Sequence, residues 1–371
     1  VTRRHGSYER NLYSTLSHRH HKLPKETSKQ REARKKYATW TSAHPLAAKQ
    51  FARTIEDLLG DSGIAFDAVT ARIKALPSLL DKVEKKTATG EWFFPHGFDD
   101  AYDFIGVRVT TFHSTEIPEI RRVLEQHFQI DRVVDKAAET RIAGGFGYGS
   151  LHLICRIPDI TSDSTNILIQ ELAEYSGQMM EVQIRTVLQH AWAEFEHDVR
   201  YKGPNTGSDP RIDRAFTLAA GLIELADQQF DQIASIANQT PRATDSSDDA
   251  TLSPEILPGV LTVILGPLFP RSKSEYYRYA YAMLAAHGIT DVGGLRELLS
   301  DDLAEAVRSV MHPDFPPGQV RMVDDVLLAR YGRDHIKKTV DIGDHGETRS
   351  GRLGNRWKKL LDAGLGAASK S

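Results

Sequence analysis

Four short apolar segments constrain the fold of this chain more than any other feature of its sequence. They span 104–109, 130–134, 150–157 and 179–184, and each has the length and pattern of a strand. Amphipathic helical patterns surround them, at 45–60, 69–86 (with a break near Pro77), 114–127 (with Ser114 as its N-cap), 186–201 and 211–237. The sequence therefore predicts an α+β fold, in which a small mixed β-sheet is flanked by helices.

The distribution of polar residues divides the chain into four predicted parts. Residues 1–43 are predicted to be a basic flexible arm, because 1–36 hold eleven Lys or Arg against three Glu. Residues 44–237 contain the sheet, and the polar segment 238–254 is a predicted linker. Residues 255–371 are predicted to be a smaller, mostly helical domain. The arm is either a solubilising tail or a contact for an acidic partner such as RNA.

Several classes of protein are excluded by simple counts. The single cysteine, Cys155, rules out a disulfide framework and a cysteine zinc site, and its apolar neighbours predict a buried thiol. No apolar stretch reaches the length of a membrane helix, and the N-terminus lacks the apolar segment of a signal peptide. We expect a cytoplasmic protein without membrane contact. The sequence also lacks a Walker A motif, a dinucleotide fingerprint and a kinase signature.

Two acidic residues and several cations are placed where they could act on phosphates. Asp103 immediately precedes the strand that carries Arg108, and Glu181 alternates with Gln183 and Arg185 along one strand face. Two acids on adjacent strands beside arginine suit Mg²⁺ and a polyphosphate. Arg72, Lys74, Ser78 and Lys82 lie on the predicted helix 69–86 and could neutralise triphosphate oxygens. The simpler alternatives are strand-end ion pairs and a solvated helix face.

Five sequence blocks in this order resemble the RelA/SpoT-type alarmone synthetase domain, and in particular its short, synthetase-only members. The resemblance covers about 44–237, and the third and fourth blocks are its most specific parts. The blocks are Arg72-x-Lys74 with Ser78 and Lys82, Asp103-Phe-Ile-Gly-Val-Arg108, Tyr148-Gly-Ser-Leu-His152, Glu181-Val-Gln-Ile-Arg-Thr186, and His190-Ala-Trp-Ala-Glu194 through Lys202.

The resemblance implies a nucleotidyltransferase-like sheet and an activity. The activity would be a Mg²⁺-dependent transfer of the β,γ-pyrophosphate of ATP to the 3′-hydroxyl of GTP, GDP or GMP, which yields alarmones. Asp103 would hold Mg²⁺, and Glu181 would complete the metal site or take the proton of the hydroxyl. The ATP site would consist of Arg72, Lys74, Ser78, Lys82 and Arg108. The guanine nucleotide would contact Tyr148, His152, Gln183, Arg185, His190 and Glu194.

His190 and Glu194 are included because of their spacing on the predicted helix 186–201. The two lie one turn apart on the same face, and the carboxylate could accept both N1–H and the exocyclic amine of guanine. The alternative is that Glu194 is a solvent-side helix residue. Trp192, between them, is predicted to lie in the core.

Some features leave the acceptor and the partners open. Gly144, Gly145 and Phe146 stand where family members often carry Lys or Asn, so the preference among GTP, GDP and GMP is not determined. A toxin-like relative that acts on tRNA 3′ ends or adenine nucleotides is one alternative, and a non-catalytic nucleotide- or RNA-binding module is another.

The sequence is compatible with a homo-oligomer. Basic residues around Trp357 predict a solvated helix or an RNA contact, and these are Arg349, Arg352, Arg356, Lys358 and Lys359.

Overall fold

The computed structural model divides the chain into two compact units. The first combines Val1–Ser42 with Leu76–Asp100, and the second combines Ala43–Ala75 with Ala101–Ser371. The domain boundaries predicted above stay predictions. The structure describes residues 26–136, 138, 149–159, 167–202, 210–239, 247–266, 268–312, 317–343 and 346–365.

Two α-helices and a short 3₁₀ helix (Gly97–Asp100) lie among the described residues of the first unit. Helix α1 (Ser28–Ala43) lies within the segment predicted to be a flexible arm, so that prediction does not hold for its last sixteen residues. The helix is held in place because Ala33 is buried and Lys29 donates a hydrogen bond of 2.5 Å to the Phe94 carbonyl. Residues 1–25 of the predicted arm lie outside the described residues.

A five-stranded mixed sheet forms the centre of the second unit. Its strand order is β1-β2-β5-β4-β3. β2 and β5 pair in parallel, and the other three pairs are antiparallel. This sheet confirms the predicted α+β class. The strands are β1 (Ala68–Ile73), β2 (Ile105–Thr111), β3 (Gln129–Asp135), β4 (Leu151–Arg156) and β5 (Met179–Thr186).

The prediction of one helix over 69–86 is wrong. The segment divides into the edge strand β1 and helix α3 (Leu76–Val83), which belong to different units. Alternate residues of 68–73 are exposed, and the β-branched Val69, Thr70 and Ile73 favour a strand once β2 supplies hydrogen-bond partners. Arg72 is therefore a strand residue that lies opposite Gly106, and it does not begin a helix.

Two helices cover the apolar face of the sheet. Helices α2 (Ala47–Asp61) and α4 (Glu116–His127) contribute buried apolar side chains. α4 begins at Glu116, one residue later than a helix capped by Ser114 would, and Thr115 takes the N-cap position. The N–H and the hydroxyl of Ser114 instead both donate to the Asp231 carboxylate. The buried set includes Phe51, Ile55, Leu58, Ile120, Val123, Val107, Val109, Val182 and Ile184. Cys155 joins them as predicted, and burial raises the pKa of its thiol to about 12.

Two further helices pack beside the end of β5. Helix α5 (Val187–Lys202) contacts helix α6 (Pro210–Gln239) through Trp192 and Phe216, whose ring centroids lie 5.2 Å apart. Trp192 is thus in a core, as predicted. The hydroxyl of Thr186 donates to the buried Asp227 carboxylate at 2.8 Å, so α6 is tied directly to the last residue of β5.

Among the described residues after 247, seven helices share one apolar core. These are α7 (Leu257–Leu265), α8 (Tyr276–Ala286), α9 (Val292–Leu298), α10 (Asp301–Met311), α11 (Gln319–Tyr331), α12 (Arg333–Thr339) and α13 (Gly346–Asp362). They confirm the predicted helical region. Of the predicted linker, 240–246 lie outside the described residues. Leu252 is buried in this core, and Thr251 pairs with Asp291.

The arginines near the C-terminus are not a solvated or RNA-contacting face. Arg356 donates to Asp324 at 2.8 Å and to Asp325 at 2.9 Å, and Arg349 donates to Asp324 at 2.8 Å. Both acids are buried in α11, where unpaired carboxylates would be very unfavourable. The arginines therefore neutralise buried charge, and only Lys358 and Lys359 of the basic group are exposed.

Two contacts join α11 and α13 to the part of the second unit that carries the sheet. Arg352 donates to Asp57 of α2 at 2.9 Å. Gly63, which follows α2 with φ +72°, lies against Gly318 so closely that a Cβ would stand 2.0 Å from the Gly318 nitrogen. Only a residue without a side chain fits at this contact.

Gly63→Ala is therefore expected to destabilise the second unit strongly. A positive φ alone costs an alanine about 1–2 kcal/mol, and the collision with Gly318 should add at least about 2 kcal/mol. Gly177→Ala is the matched control, since Gly177 has φ +75° and nothing within 4 Å of its Cβ position. The measurement is the free energy of unfolding in denaturant, and equal losses in the two variants would contradict the close contact.

Candidate active site

The face of the sheet opposite the helices α2 and α4 is polar. Directly paired residues share a face, so the strand register places Arg72 beside Gly106 and Gly106 beside Glu181. In the next row, Arg108 lies beside Gln183, and Gln183 lies beside His152 of β4. Four strands thus bring the predicted acid, amide and cations onto one surface.

Glu181 is held by two hydrogen bonds from its neighbours. His152 Nδ1 lies 3.0 Å from Glu181 Oε1, and Gln183 Nε2 donates to Oε2 at 3.1 Å. On its other side, His152 Nε2 lies 2.6 Å from the Ser150 hydroxyl. Burial raises the pKa of Glu181, but the hydrogen bonds and charge of His152 and the bond from Gln183 outweigh it, so the pKa is lowered. The carboxyl is therefore ionised at neutral pH.

Asp103 precedes β2 as predicted and faces the same region. Lys74 Nζ lies 2.9 Å from its Oδ2, and the Lys74 backbone N–H donates to the Phe104 carbonyl at 2.8 Å. The backbone bond fixes the chain between β1 and α3 against the start of β2. The charge of Asp103 acts to raise the pKa of Glu181, which indicates that the two carboxylates share one site.

Cations surround these acids at close range. Burial lowers the pKa of Arg185 to about 10, and the positive charges of Arg108 and Arg72 contribute to the shift. The Nε atoms of Arg108 and Arg185 are buried and have no hydrogen-bond partner among the described residues. Mutually repelling guanidinium groups with unsatisfied buried donors are the signature of a site that binds an anion.

Helix α5 closes one side of this surface. Glu194 Oε1 lies 3.0 Å from Arg108 and 3.7 Å from His190 Nδ1, so the predicted pair shares a face of the helix. Burial lowers the pKa of His190, and the charges of Arg108 and Arg185 lower it further, so this imidazole is neutral at pH 7. Glu194 is exposed and forms an ion pair with Arg108, and its contact with guanine stays a prediction.

The structure groups most of the predicted site residues. Those on or beside the polar face are Arg72, Lys74, Asp103, Arg108, His152, Glu181, Gln183, Arg185, His190 and Glu194. Ser78 and Lys82 belong to α3 in the first unit, and Lys82 lies 5.0 Å from the Phe94 ring, so their part in the site stays a prediction. Tyr148 lies outside the described residues, as do Gly144, Gly145 and Phe146.

Three residues of this surface escaped the sequence analysis as site residues. Burial and the charges of Asp103 and Glu181 raise the pKa of Tyr102, and the charge of Arg132 lowers it, which places Tyr102 near the acids and Arg132 near Tyr102. Ser150 is the third, through its contact with His152. The position of Tyr102 directly before Asp103 was the sequence feature that could have identified it as a site residue. No sequence feature pointed to Arg132, because its strand carries no motif.

The two acids fit a divalent cation that is bound partly by substrate. Among the described residues, no group of three or more His, Cys, Asp or Glu is arranged to hold a metal. Asp103 and Glu181 match the way Mg²⁺ is held, by one or two carboxylates plus substrate phosphates.

None of the helices among the described residues has the length and apolar character of a membrane-spanning segment.

Comparisons with known proteins agree with this surface. Residues 71–206 match the family model described as the region found in RelA/SpoT proteins. This range contains every candidate residue named above.

Two curated relatives come from Bacillus subtilis strain 168. GTP pyrophosphokinase YjbM is 26% identical over 171 residues, which is 44% of this chain and 72% of that protein. GTP pyrophosphokinase YwaC is 29% identical over 132 residues, or 36% of this chain and 57% of that protein. The crystal structure of small alarmone synthetase 1 from Bacillus subtilis is also similar, with a TM-score of 0.42 and 20% identity, over 56% of this chain and 100% of that one.

Arg108→Gln should weaken the binding of AMPCPP, an ATP analogue, by about 10- to 100-fold, because a hydrogen bond to a charged group is worth about 1.5–3 kcal/mol. Titration calorimetry measures the change. Arg121→Gln is the control, since Arg121 pairs with Glu125 on the exposed side of α4 at 2.7 Å. Equal affinity of the Arg108 variant and the wild type would show that the polar face does not bind the triphosphate.

Proposed function

We propose that the chain transfers the β,γ-diphosphate of ATP to the 3′-hydroxyl of a guanine nucleotide, because residues 71–206 match the family model of the RelA/SpoT region. The observation that carries the proposal is an ionised Glu181, held by His152 and Gln183, on a sheet face lined by arginines. The names of the two Bacillus subtilis relatives support the reaction class. The product would be a guanine nucleotide with a 3′-diphosphate.

Glu181 is the residue best suited to receive the proton of the attacking hydroxyl. A sugar hydroxyl is a weak nucleophile and gains from a carboxylate within hydrogen-bond reach. The bonds from His152 and Gln183 fix the orientation of both carboxylate oxygens, so the base is in place before the acceptor arrives. Ser150 in turn orients His152.

Arginines on the same face provide the complementary charge. The transferred group is highly charged, and donors that are already desolvated stabilise it without further reorganisation. Arg72 and Arg108 lie on the two strands nearest Asp103, so we assign them to the ATP phosphates or the adenine. Arg185 lies beside Gln183 and donates to it at 2.5 Å, so we assign it to the acceptor.

With Glu181 as the base, Asp103 and the substrate phosphates would hold Mg²⁺, and the ion would offset the negative charge of the phosphates. Lys74 already neutralises Asp103 in this structure. Lys74 would contact a phosphate oxygen once Asp103 binds the metal ion in place of the Lys74 ammonium group.

The Arg108–Glu194 ion pair links the two predicted nucleotide positions. Arg108 is assigned to ATP, and Glu194 is assigned to the guanine edge. An exposed carboxylate at this position distinguishes guanine from adenine, since only guanine offers two donors on one edge.

Replacing either acid should abolish transfer without unfolding the chain. Asp103→Asn and Glu181→Gln keep the size of each side chain but remove its charge, and loss of a general base costs about 10²–10⁴ in rate. The assay combines γ-labelled ATP and Mg²⁺ with GTP, GDP, GMP, ADP and deacylated tRNA in parallel. Asp131→Asn is the control, because Asp131 pairs with Arg156 at 2.6 Å on β3 and β4.

The parallel acceptors decide the substrate class. We expect labelled product from guanine nucleotides only. Product from tRNA or ADP would reject the proposed acceptor, and near-normal turnover in the Glu181 variant would reject the proposed base.

Tyr148→Ala should impair the acceptor more than ATP. Stacking on an aromatic ring is worth about 1–3 kcal/mol per base, so the acceptor KM should rise about tenfold while ATP affinity stays unchanged. Steady-state kinetics with each substrate varied in turn separates the two effects. Equal losses for both substrates would assign Tyr148 a structural role.

A further inference from the structure

One row of paired residues crosses all five strands on the polar face of the sheet. Arg72 of β1 lies opposite Gly106, Gly106 opposite Glu181, Glu181 opposite Ile154, and Ile154 opposite Arg132 of β3. Directly paired residues share a face, so Glu181 stands at the centre of the row and an arginine stands at each end. Neighbouring strands are ~4.8 Å apart, which puts the backbone of each arginine about 10 Å from that of Glu181.

The cations at the β1 end of this row are already assigned to ATP. The Arg72 side chain lies over Gly106, with its Cγ 3.7 Å from the position that a Cβ of Gly106 would take. Lys74, which follows β1, pairs with Asp103 at 2.9 Å. In phosphoryl transfer the attacking and leaving oxygens stand roughly in line on opposite sides of the phosphorus. With ATP at the β1 end, the acceptor therefore approaches from the side of β4 and β3.

At the β3 end, no carboxylate among the described residues forms an ion pair with the exposed Arg132. The adjacent Asp131 has both oxygens occupied, Oδ2 by Arg156 at 2.6 Å and Oδ1 by Gln129 at 3.0 Å. The charge of Arg132 lowers the pKa of Tyr102, so the guanidinium group lies near the residue that precedes the first acid of the site. A guanidinium group is always charged, and its fork of donors matches phosphate oxygens.

We propose that Arg132 binds the 5′-phosphate groups of the acceptor and thereby selects nucleotides over nucleosides. The inference rests on the proposed function, in which the 3′-hydroxyl of the acceptor lies at Glu181. One ribose separates that hydroxyl from the 5′-phosphate, and one strand, β4, separates Glu181 from Arg132. A ribose that lies over β4 therefore brings its 5′-phosphate toward the guanidinium group. Arg72 and Arg132 would then hold the phosphates of the two substrates on opposite sides of the base.

The test compares Arg132→Gln with Arg156→Gln in the full chain. Arg156 is the matched control, because it lies two residues after Ile154 on the same face of β4 but already donates to Asp131 and to the Gly177 carbonyl. Calorimetry, with AMPCPP present to occupy the donor position, measures the affinity for GDP. Steady-state kinetics gives kcat/KM for GDP and for guanosine, which has no 5′-phosphate.

We expect Arg132→Gln to weaken the binding of GDP about 10- to 100-fold and to lower kcat/KM for GDP by a similar factor, because it removes hydrogen bonds to a charged group. The affinity for AMPCPP and kcat/KM for guanosine should not change, and Arg156→Gln should match the wild type. Unchanged GDP affinity in Arg132→Gln would overturn the proposal. An equal loss with guanosine, or an equal loss in Arg156→Gln, would overturn it as well.

Failure of this proposal is distinguishable from failure of the proposed function. Transfer of labelled diphosphate to GDP that does not depend on Arg132 would contradict the role of the arginine alone. Binding of GDP that depends on Arg132, without labelled product from any guanine nucleotide, would contradict the proposed transfer and support the phosphate contact.

Discussion

The hydrogen bonds from His152 and Gln183 to Glu181 are the interactions on which the site depends. A half-buried carboxyl would tend to take up a proton, but these two donors keep it charged. Its charge in turn offsets the repulsion among Arg72, Arg108 and Arg185. The arrangement needs a sheet with one mainly polar face, because the six groups come from four different strands.

The sheet topology explains why the acids meet. β2 and β5 are the only parallel pair among the described strands, so Asp103 before β2 and Glu181 near the start of β5 lie at the same edge. Behind this edge, α6 is fixed to the end of β5 by the buried bond between Thr186 and Asp227. The helices after 247 are joined to α2 by the ion pair of Arg352 with Asp57, and to the turn after α2 by the contact between Gly63 and Gly318.

The sequence was sufficient to predict what depends on short-range pattern. β2 and β5 alternate apolar and polar residues, so the predicted strands and the shared face of Glu181, Gln183 and Arg185 were correct. The edge strand β1 was not predicted, because its six residues continue the apolar spacing of helix α3, which follows them. Only the pairing of β1 with β2 distinguishes the strand from the helix. The spacing of His190 and Glu194 predicted a common helix face, but their contact with Arg108 depends on how α5 packs against the sheet.

Long-range ion pairs could not be predicted. Arg352 pairs with Asp57, which lies 295 positions away in the sequence. Arg349 and Arg356 neutralise Asp324 and Asp325, whose burial the sequence did not indicate. A run of arginine near a C-terminus therefore resembles a nucleic-acid contact until its buried partners are known.

The most direct measurement compares GDP with its 2′-deoxy and 3′-deoxy analogues as acceptors, with γ-labelled ATP and separation of the products by charge. If the 3′-hydroxyl is the acceptor, the 2′-deoxy analogue still receives a labelled diphosphate and the 3′-deoxy analogue receives none. Labelled product from the 3′-deoxy analogue, or transfer of a single labelled phosphate, would contradict it.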